Sequence, residues 1–229
     1  MAQSMYELLY GDNSAGNPDL ATDATNTDAV VARQHFIDFF VGKGVDTSIW
    51  KTDWLGGGTI GIGHGHQAGC QLVTATGNNS KITLTFNNIY PFDQHSSSII
   101  GVTSTHGATT TGNFGSDFGL WGAGGDATEA DAATLKNNTA EGDNMQFFTK
   151  NGSSGVTDTS VYRKTQGQWF ATKIDLKESK ADCCIDGYLR ATRTSGLPNK
   201  ALMPWFKHTT YSGGVATTGS IRYVEAWNN

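Results

Sequence analysis

The segment Lys81–Phe86, KITLTF, alternates apolar residues with threonine at a period of two. Ile82, Leu84 and Phe86 would share one face of a strand, and the threonines would occupy the other. Similar short segments recur along the chain and are separated by turn sequences such as TGNN at 76–79. Many short strands joined by turns must stack or close their sheets to protect the strand edges. The pattern therefore predicts an all-β protein of about a dozen strands.

Composition supports this fold class and suggests one domain with a lead-in. The chain has 229 residues, of which 16% are charged and 29 are glycine, and strong helix formers are modest in number. β-Sandwiches of this length commonly form one unit. Residues 11–28 are polar, acidic and rich in turn formers, with little to bury. We therefore predict an extended N-terminal arm at 1–34, ordered against a neighbouring subunit, and a sandwich at 35–229.

The charge balance argues against several partner classes. The net charge is −5 and the basic residues form no cluster, so we expect no nucleic acid partner. No apolar run approaches the roughly 20 residues that cross a bilayer, so no membrane association is expected. The first residues lack the pattern of a signal peptide, and we expect a soluble protein that is not exported by that route. Cys70, Cys183 and Cys184 are predicted to be unpaired thiols, with the adjacent pair alternating between the two faces of a strand.

Five segments carry a resemblance to a known fold family. The order of these segments resembles the strand order of concanavalin A-like lectin and glucanase jelly rolls, which include laminin-G-like modules. The resemblance implies a two-sheet antiparallel jelly-roll sandwich over residues 35–229. The short N-terminal segment and the ending RYVEAWNN look like versions found in phage and other viral structural proteins. The segments are HFIDFFVGKGVDTSIWKTDWLGGGTIGIG (35–63), GQWFATKIDL (167–176), CCIDGYLRATRTSGLP (183–198), LMPWFKHTT (202–210) and SIRYVEAWN (220–228).

An aromatic cluster lies beside the triple glycine Gly56–Gly58. In a two-sheet sandwich these rings would fill the gap of roughly 10 Å between the sheets. The glycines would let the backbone turn sharply as it leaves the core. Packing therefore explains this stretch without a ligand. The predicted core rings are Phe36, Phe39, Phe40, Trp50 and Trp54.

Catalytic patterns are weak in this sequence. Hydrolysis of a glycosidic bond needs two carboxylates on either side of the sugar. The glucanases that the chain resembles carry an E-x-D-x-E or E-x-D-x-x-E run on one strand, and no such run occurs here. Glu129 and Asp131 come closest, but they lie in the segment DATEADAATLKNNTAEGD (126–143), predicted to be a loop or a short helix. No G-x-S-x-G or P-loop pattern supports other chemistry. The prediction is that the protein is not an enzyme.

Metal-ligating patterns are also weak, and no cofactor is predicted. His64 and His66 would share a strand face, but a third ligand would have to come from His95, His106, His208 or an aspartate, and we interpret the pair as ordinary strand residues. Calcium stays open, because several oxygen donors occur in glycine-rich segments, although turn formation explains them as well. Those donors are Asp117, Asp126, Asp131, Asp143, Asn113 and Asn144.

Carbohydrate binding has candidate residues. Sugar rings stack on exposed aromatic faces, while Asn and Asp side chains bind hydroxyl groups. Trp121 and Tyr211 lie in segments that look like loops, and Asn113 and Asp117 are close to Trp121 in the sequence. The sequons at Asn78, Asn137 and Asn151 are interpreted as incidental in a chain with no visible export signal.

The function expected from these observations is structural. The sequence predicts a non-enzymatic virion protein, a capsid decoration, cement or appendage component assembled in the host cytoplasm. Its expected partners are other virion proteins, such as a major capsid protein, and further copies of itself. The alternative is a carbohydrate-binding adhesin module that recognises a host or environmental glycan.

Overall fold

The computed structural model describes residues 35–64, 68–76, 79–86, 91–106, 114–122, 131–138, 144–152, 154–157, 160–163, 165, 167–211 and 216–229. The predicted arm at 1–34 lies outside these residues. The regular elements among them are strands. In chain order they are β1 (His35–Asp38), β2 (Trp50–Leu55), β3 (Gly58–Gly63), β4 (Gly69–Thr74), β5 (Ser80–Phe86), β6 (Ser97–His106), β7 (Phe114–Gly122), β8 (Asp131–Asn138), β9 (Asn144–Asn151), β10 (Ser154–Thr157), β11 (Tyr162–Arg163), β12 (Phe170–Lys177), β13 (Lys180–Ile185), β14 (Tyr188–Arg193), β15 (Leu202–Thr210) and β16 (Thr218–Asn228).

The strands form two antiparallel sheets that pack as a sandwich. Sheet 1 has the order β14-β13-β12-β6-β16-β4-β3, and β1 also pairs with β16. Sheet 2 has the order β10-β9-β8-β7-β15-β5-β2, and β11 also pairs with β9. The all-β class and the two-sheet architecture predicted from the sequence are confirmed. Among the described residues there is no helix of the length and apolarity that a membrane span requires.

The core holds much of the predicted aromatic cluster. Phe36, Phe40 and Trp50 are buried, and the rings of Phe36 and Phe86 meet edge to face with centroids 4.4 Å apart. The Trp50 indole N–H donates to Asp38 Oδ2 over 2.7 Å, so the polar atom of this ring has a partner in the core.

Two rings of the predicted core are exposed instead. Phe39 is 55% exposed and packs on Tyr223 at the outer face of sheet 1. It lies between Phe36 and Phe40 in the sequence, which both point into the core, and its own ring points the opposite way. Trp54 is 57% exposed, since its strand β2 is the last in sheet 2 and has a neighbouring strand on one side alone. The prediction for these two residues is wrong.

Turn predictions from glycine are confirmed. Gly56, Gly57 and Gly58 have φ values of 78°, 87° and 130°, and the chain crosses there from β2 in sheet 2 to β3 in sheet 1. A Cβ at Gly58 would lie 2.5 Å from the Val73 carbonyl oxygen, so the close approach of the backbones also requires glycine. The turn at Asp186–Gly187 likewise has positive φ at both residues.

Strand β8 corrects the prediction made for residues 126–143. The segment Asp131–Asn138 is a strand between β7 and β9 in sheet 2, and its side chains are mostly buried on both faces. Alanines give little intrinsic preference for a strand, so pairing with two neighbours overrides local propensity here. A strand that is buried on both faces also lacks the polar alternation used to recognise strands.

The cysteines agree with the sequence-based prediction. Cys70, Cys183 and Cys184 are free thiols; Cys183 is buried in the core and Cys184 is half-buried on the opposite face of β13. Burial raises the pKa of the Cys70 thiol, and the nearby Asp38 carboxylate raises it further, so this thiol stays protonated at neutral pH.

Candidate functional site

The outer face of sheet 2 carries the candidate site. Phe118 points into the core, because a Cβ at Gly101 of the facing strand β6 would lie 2.1 Å from its ring. Residues two apart on a strand share a face, so the odd-numbered positions of β7 point outward. Those positions are Gly115, Asp117, Gly119 and Trp121.

Cross-strand register gives two rows of side chains across this face. The first, here called the polar row, runs through strands β2, β5, β15, β7, β8 and β9, and its members are paired directly opposite one another. It consists of Asp53, Thr83, Lys207, Asp117, Lys136 and Gln146. The second, the aromatic row, consists of Lys51, Thr85, Trp205, Gly119, Thr134 and Phe148.

Glycines lie on either side of Asp117, at positions where neighbouring atoms take the place of a side chain. A Cβ at Gly115 would lie 2.9 Å from the Tyr211 hydroxyl, so the Tyr211 ring packs against the outer face at that position. Gly119 has φ of 156°, and a Cβ there would lie 2.2 Å from the Ala133 carbonyl oxygen. Asp117 therefore stands between two positions without side chains.

A stacked pair of indole rings adjoins Asp117. The rings of Trp121 and Trp205 lie 4.3 Å apart between centroids with an interplanar angle of 7°. They are 2% and 4% exposed, and neither indole Nε1 has a hydrogen-bond partner within the part of the chain that the structure describes. A buried donor without a partner costs about 1–3 kcal/mol. A ligand oxygen that reached either N–H would recover part of this cost.

Charged groups of the polar row are held close to the surface of the sheet. Lys207 Nζ lies 2.8 Å from Asp117 Oδ2, and each side chain is 14% exposed. Lys136 Nζ lies 3.9 Å from the centroid of the Phe148 ring. These contacts place two ammonium groups and one carboxylate beside aromatic surface.

A small cavity opens among these groups. Its volume is about 140 Å³, and most other central side chains of the outer face are buried. A protein cavity of about 150 Å³ holds a molecule the size of benzene, so this cavity has the volume of one small ring or one ring substituent. The lining residues are Asp117, Trp121, Thr134, Lys136, Asn137, Phe148, Lys207 and Tyr211.

Three of the four sequence-predicted carbohydrate residues lie at this cavity. Asp117 and Tyr211 line it, as does Trp121, but Trp121 lies in strand β7 and is buried, so its predicted loop position is wrong. Asn113 lies outside the described residues.

Sequence reasoning missed several lining residues. Lys136, Phe148 and Lys207 come from strands β8, β9 and β15. Strand β7 pairs with β8 and β15, and β8 pairs with β9, so the three side chains meet at the cavity. One local signal was present in β7, whose outward positions read Gly, Asp, Gly, Trp. Glycine within a strand often marks a place where a ligand or another segment of the chain approaches closely.

The acidic residues weighed for catalysis do not meet at the cavity. Glu129 lies outside the described residues, and Asp131 is buried with its Oδ1 accepting from the Asn199 N–H over 2.7 Å. No described strand carries acids at alternating positions. Asp53 and Asp117 share the polar row but lie three strands apart, roughly 14 Å. This separation exceeds the roughly 6.5–9.5 Å of an inverting carboxylate pair.

The histidines and oxygen donors weighed for metals are dispersed where the structure describes them. His64 and His95 are exposed, while His208 is fully buried between Ser116 and Thr217, 2.7 Å and 2.8 Å from its two ring nitrogens. Within the described residues, no three His, Cys, Asp or Glu side chains approach one another closely enough to hold a metal ion. His66, Asp126, Asp143 and the His106 side chain fall outside the described part.

Comparison with known proteins identifies the fold. No protein-family model matches the chain, and no curated protein matches it. Solved structures do. A β-glucanase from Bacillus licheniformis matches with a TM-score of 0.61 at 12% identity, over 85% of this chain and 98% of that one. The catalytic domain of a Thermotoga petrophila endo-1,3-β-glucanase, a laminarinase, matches with 0.62 at 10%, over 86% and 98%. The Emp47p carbohydrate recognition domain matches with 0.59 at 12%, over 85% and 95%.

These matches show that the chain has the concanavalin A-like lectin and glucanase jelly-roll fold, as the resemblance implied. They also correct one prediction. The expectation that the protein is not an enzyme is wrong, because glycoside hydrolases are among the structures that share this fold over most of the chain. The fold is thus shared by glycoside hydrolases and by a carbohydrate recognition domain.

Proposed function

We propose that the protein binds carbohydrate at the cavity on the outer face of sheet 2. The observation that carries the proposal is the lining itself: aromatic rings from Trp121, Phe148 and Tyr211 surround hydrogen-bonding groups of Asp117 and Thr134. Apolar ring faces with a few convergent polar groups are what sugar recognition requires. The indole N–H of Trp121, which has no hydrogen-bond partner among the described residues, adds a donor at the cavity that a sugar hydroxyl would satisfy.

The size of the cavity limits how much of a glycan enters it. About 140 Å³ holds part of one sugar residue, so the rest of the glycan would extend over the rim, where Phe148 and Tyr211 are half-buried. The proposal agrees with the similar structures, one of which is described as a carbohydrate recognition domain and two as glucanases. Fold alone does not define a ligand, so the side chains of the cavity carry the argument.

Binding to a glycan panel tests the proposal. We expect the full chain to bind at least one class of glycan, and Tyr211→Ala to weaken that binding by about tenfold, or about 1.4 kcal/mol. Tyr188→Ala is the matched control, because Tyr188 is 68% exposed on β14 at the edge of the other sheet. Trp121→Ala is unsuitable, since removing a buried ring destabilises a core by about 3–5 kcal/mol. Absence of binding across neutral and anionic glycans would refute the proposal.

Glycoside hydrolysis is the second candidate, favoured by the carboxylate of Asp117 at the cavity and by the hydrolases among the similar structures. Its second carboxylate would come from outside the described strand residues. Release of reducing ends from a bound glycan, lost in Asp117→Asn, would establish it. Binding without such release would leave recognition as the function.

The virion role predicted from the sequence is a weaker proposal. The reported similar structures are hydrolases and a carbohydrate recognition domain, and they give that role no support. Association with virion proteins, self-association and location in a virion stay predictions, which copurification of the chain with particles would test.

A further inference from the structure

Basic residues outnumber acidic ones among the described strand residues on the outer face of sheet 2, whereas the whole chain is acidic. The full sequence has 16 lysines and arginines against 21 acidic residues. Among the described strand residues that register places on this face, six are basic and two are acidic. The basic residues are Lys51, Lys81, Lys136, Lys150, Arg163 and Lys207, and the acidic residues are Asp53 and Asp117.

The excess of positive charge extends to the cavity. Lys136 and Lys207 both line it, with Asp117 as the one carboxylate among its lining residues. Lys207 is held against Asp117, and Lys136 stands over the Phe148 ring with its ammonium 3.9 Å from the centroid. Both lysines are largely withdrawn from solvent, where an ammonium group interacts more strongly with an anion than it does in bulk water.

We infer that the carbohydrate bound here is anionic, with a carboxylate or sulfate substituent that contacts the ammonium groups of Lys136 and Lys207 on either side of Asp117. This inference rests on the proposed function. A cavity of about 140 Å³ suits one charged substituent better than a whole sugar ring. A basic face on an acidic molecule also attracts a polyanion to this side of the sandwich and repels it elsewhere. Uronic acids and sulfated sugars share this chemistry, and the experiment separates them.

Titration of the full chain with four polymers tests the inference. They are oligosaccharides of a polyuronate, oligosaccharides of a sulfated galactan, neutral β-glucan oligosaccharides and an oligothymidylate. The oligothymidylate is a polyanion but not a polysaccharide. We expect one of the two anionic glycans to bind most tightly. Its affinity should fall at least about tenfold between 50 mM and 500 mM NaCl, because salt screens the attraction between the other charges of the polymer and the remaining basic residues of this face.

The critical variant is Lys136→Gln, which removes one ammonium and keeps a polar side chain of similar length. We expect it to weaken anionic glycan binding by about tenfold, consistent with loss of one charge-assisted contact. Lys173→Gln is the matched control. Lys173 lies over the ring of a tryptophan, as Lys136 lies over that of Phe148, but it is on sheet 1, where it pairs with the Asp175 carboxylate. It should leave binding unchanged. Lys207 is avoided because its loss would leave Asp117 half-buried without its ion pair.

The outcomes separate this inference from the proposed function. Equal or tighter binding of neutral glycans that is insensitive to Lys136→Gln would overturn the anionic ligand while leaving carbohydrate binding intact. If the oligothymidylate bound as tightly as the anionic glycans, binding would be unspecific charge attraction, and the inference of an anionic carbohydrate would also be overturned. Binding of no glycan at all would refute the proposed function together with the inference. Thermal unfolding of each variant must match that of the unaltered chain for these comparisons to hold.

Discussion

At the residue scale, Asp182 has the strongest electrostatic role among the described carboxylates of sheet 1. Its carboxylate accepts from Lys180 Nζ at 2.7 Å, from Thr192 Oγ1 at 2.7 Å and from Lys177 Nζ at 3.1 Å. Burial by itself raises the pKa of this group, but the three hydrogen bonds outweigh burial and lower the pKa to about 2. The charged form is therefore favoured by folding.

This pKa predicts how stability depends on pH. Because the pKa of Asp182 is lower in the folded chain than in the unfolded chain, its contribution is present above about pH 4 and is lost as the pH falls through about 2. At neutral pH the charged Asp182 adds about 2 kcal/mol to the free energy of unfolding, because its pKa in the folded chain, about 2, lies below the ordinary value of 3.8. Asp182→Asn should lower the free energy of unfolding at pH 6 by about that amount.

Urea unfolding of both chains at several pH values checks this prediction. The difference between wild type and Asp182→Asn should shrink between pH 5 and pH 2. Asp53→Asn serves as the control, because Asp53 forms a surface pair with Lys51 at 3.2 Å and its side chain is 59% exposed, a setting where ion pairs add little. A constant difference over this range for Asp182→Asn would contradict the assigned pKa.

At the element scale, the close packing of β6 on β7 depends on a residue without a side chain. Gly101 lies in the interior of sheet 1 between β12 and β16, and the Phe118 ring of sheet 2 occupies the space above it. The sequence of β6, SSIIGVTSTH, contains this glycine, but it does not show that a ring from the other sheet occupies the space where a side chain would lie. The two sheets thus interlock where glycine faces phenylalanine.

Gly101→Ala is therefore expected to be destabilising. Its Cβ would lie 2.1 Å from the Phe118 ring, and overpacking of this kind costs about 1–3 kcal/mol. Gly61→Ala is the matched control: Gly61 also lies within a strand, β3, but no atom lies within 4 Å of a Cβ there, so alanine should be neutral or slightly stabilising. Denaturant midpoints of the two variants measure the effect. Equal midpoints would show that Phe118 moves aside without cost.

At the scale of the whole molecule, all described strands and their pairing partners lie between His35 and Asn228. Strand β1 pairs with β16, whose residues lie about 190 positions further along the chain. Contacts between residues distant in sequence therefore hold the sandwich together within the predicted range 35–229.

Removal of residues 1–34 is expected to leave the sandwich folded. All the cross-strand hydrogen bonding described for the two sheets remains within 35–229, so the shortened chain should keep its far-UV circular dichroism and one cooperative unfolding transition. The midpoint should shift by less than that of Gly101→Ala. Loss of cooperativity would mean that the first 34 residues belong to the domain. If the shortened chain folds but no longer associates with particles, the predicted docking role of the arm gains support.

Much of the fold was predictable because its signals are local. The alternation in Lys81–Phe86 identified β5 and its core face, and Ile82, Leu84 and Phe86 are buried as predicted. Positive φ values at Gly56–Gly58 and Gly187 follow from a residue type that reaches them without strain. Strand β8 was not predictable, since its alanines and asparagines become a strand only by pairing with β7 and β9.

The candidate site was predictable only in part, since strand pairing assembles it. Sequence alone determined that short pleated segments form two sheets and that Asp117, Trp121 and Tyr211 are candidates for sugar contact. Tertiary structure decided that Trp121 stacks on Trp205 and that Lys136 and Lys207 flank Asp117. The physical reason is that alternation fixes which residues share a strand face, whereas hydrogen bonds between strands far apart in the sequence, such as β7 and β15, fix which faces meet.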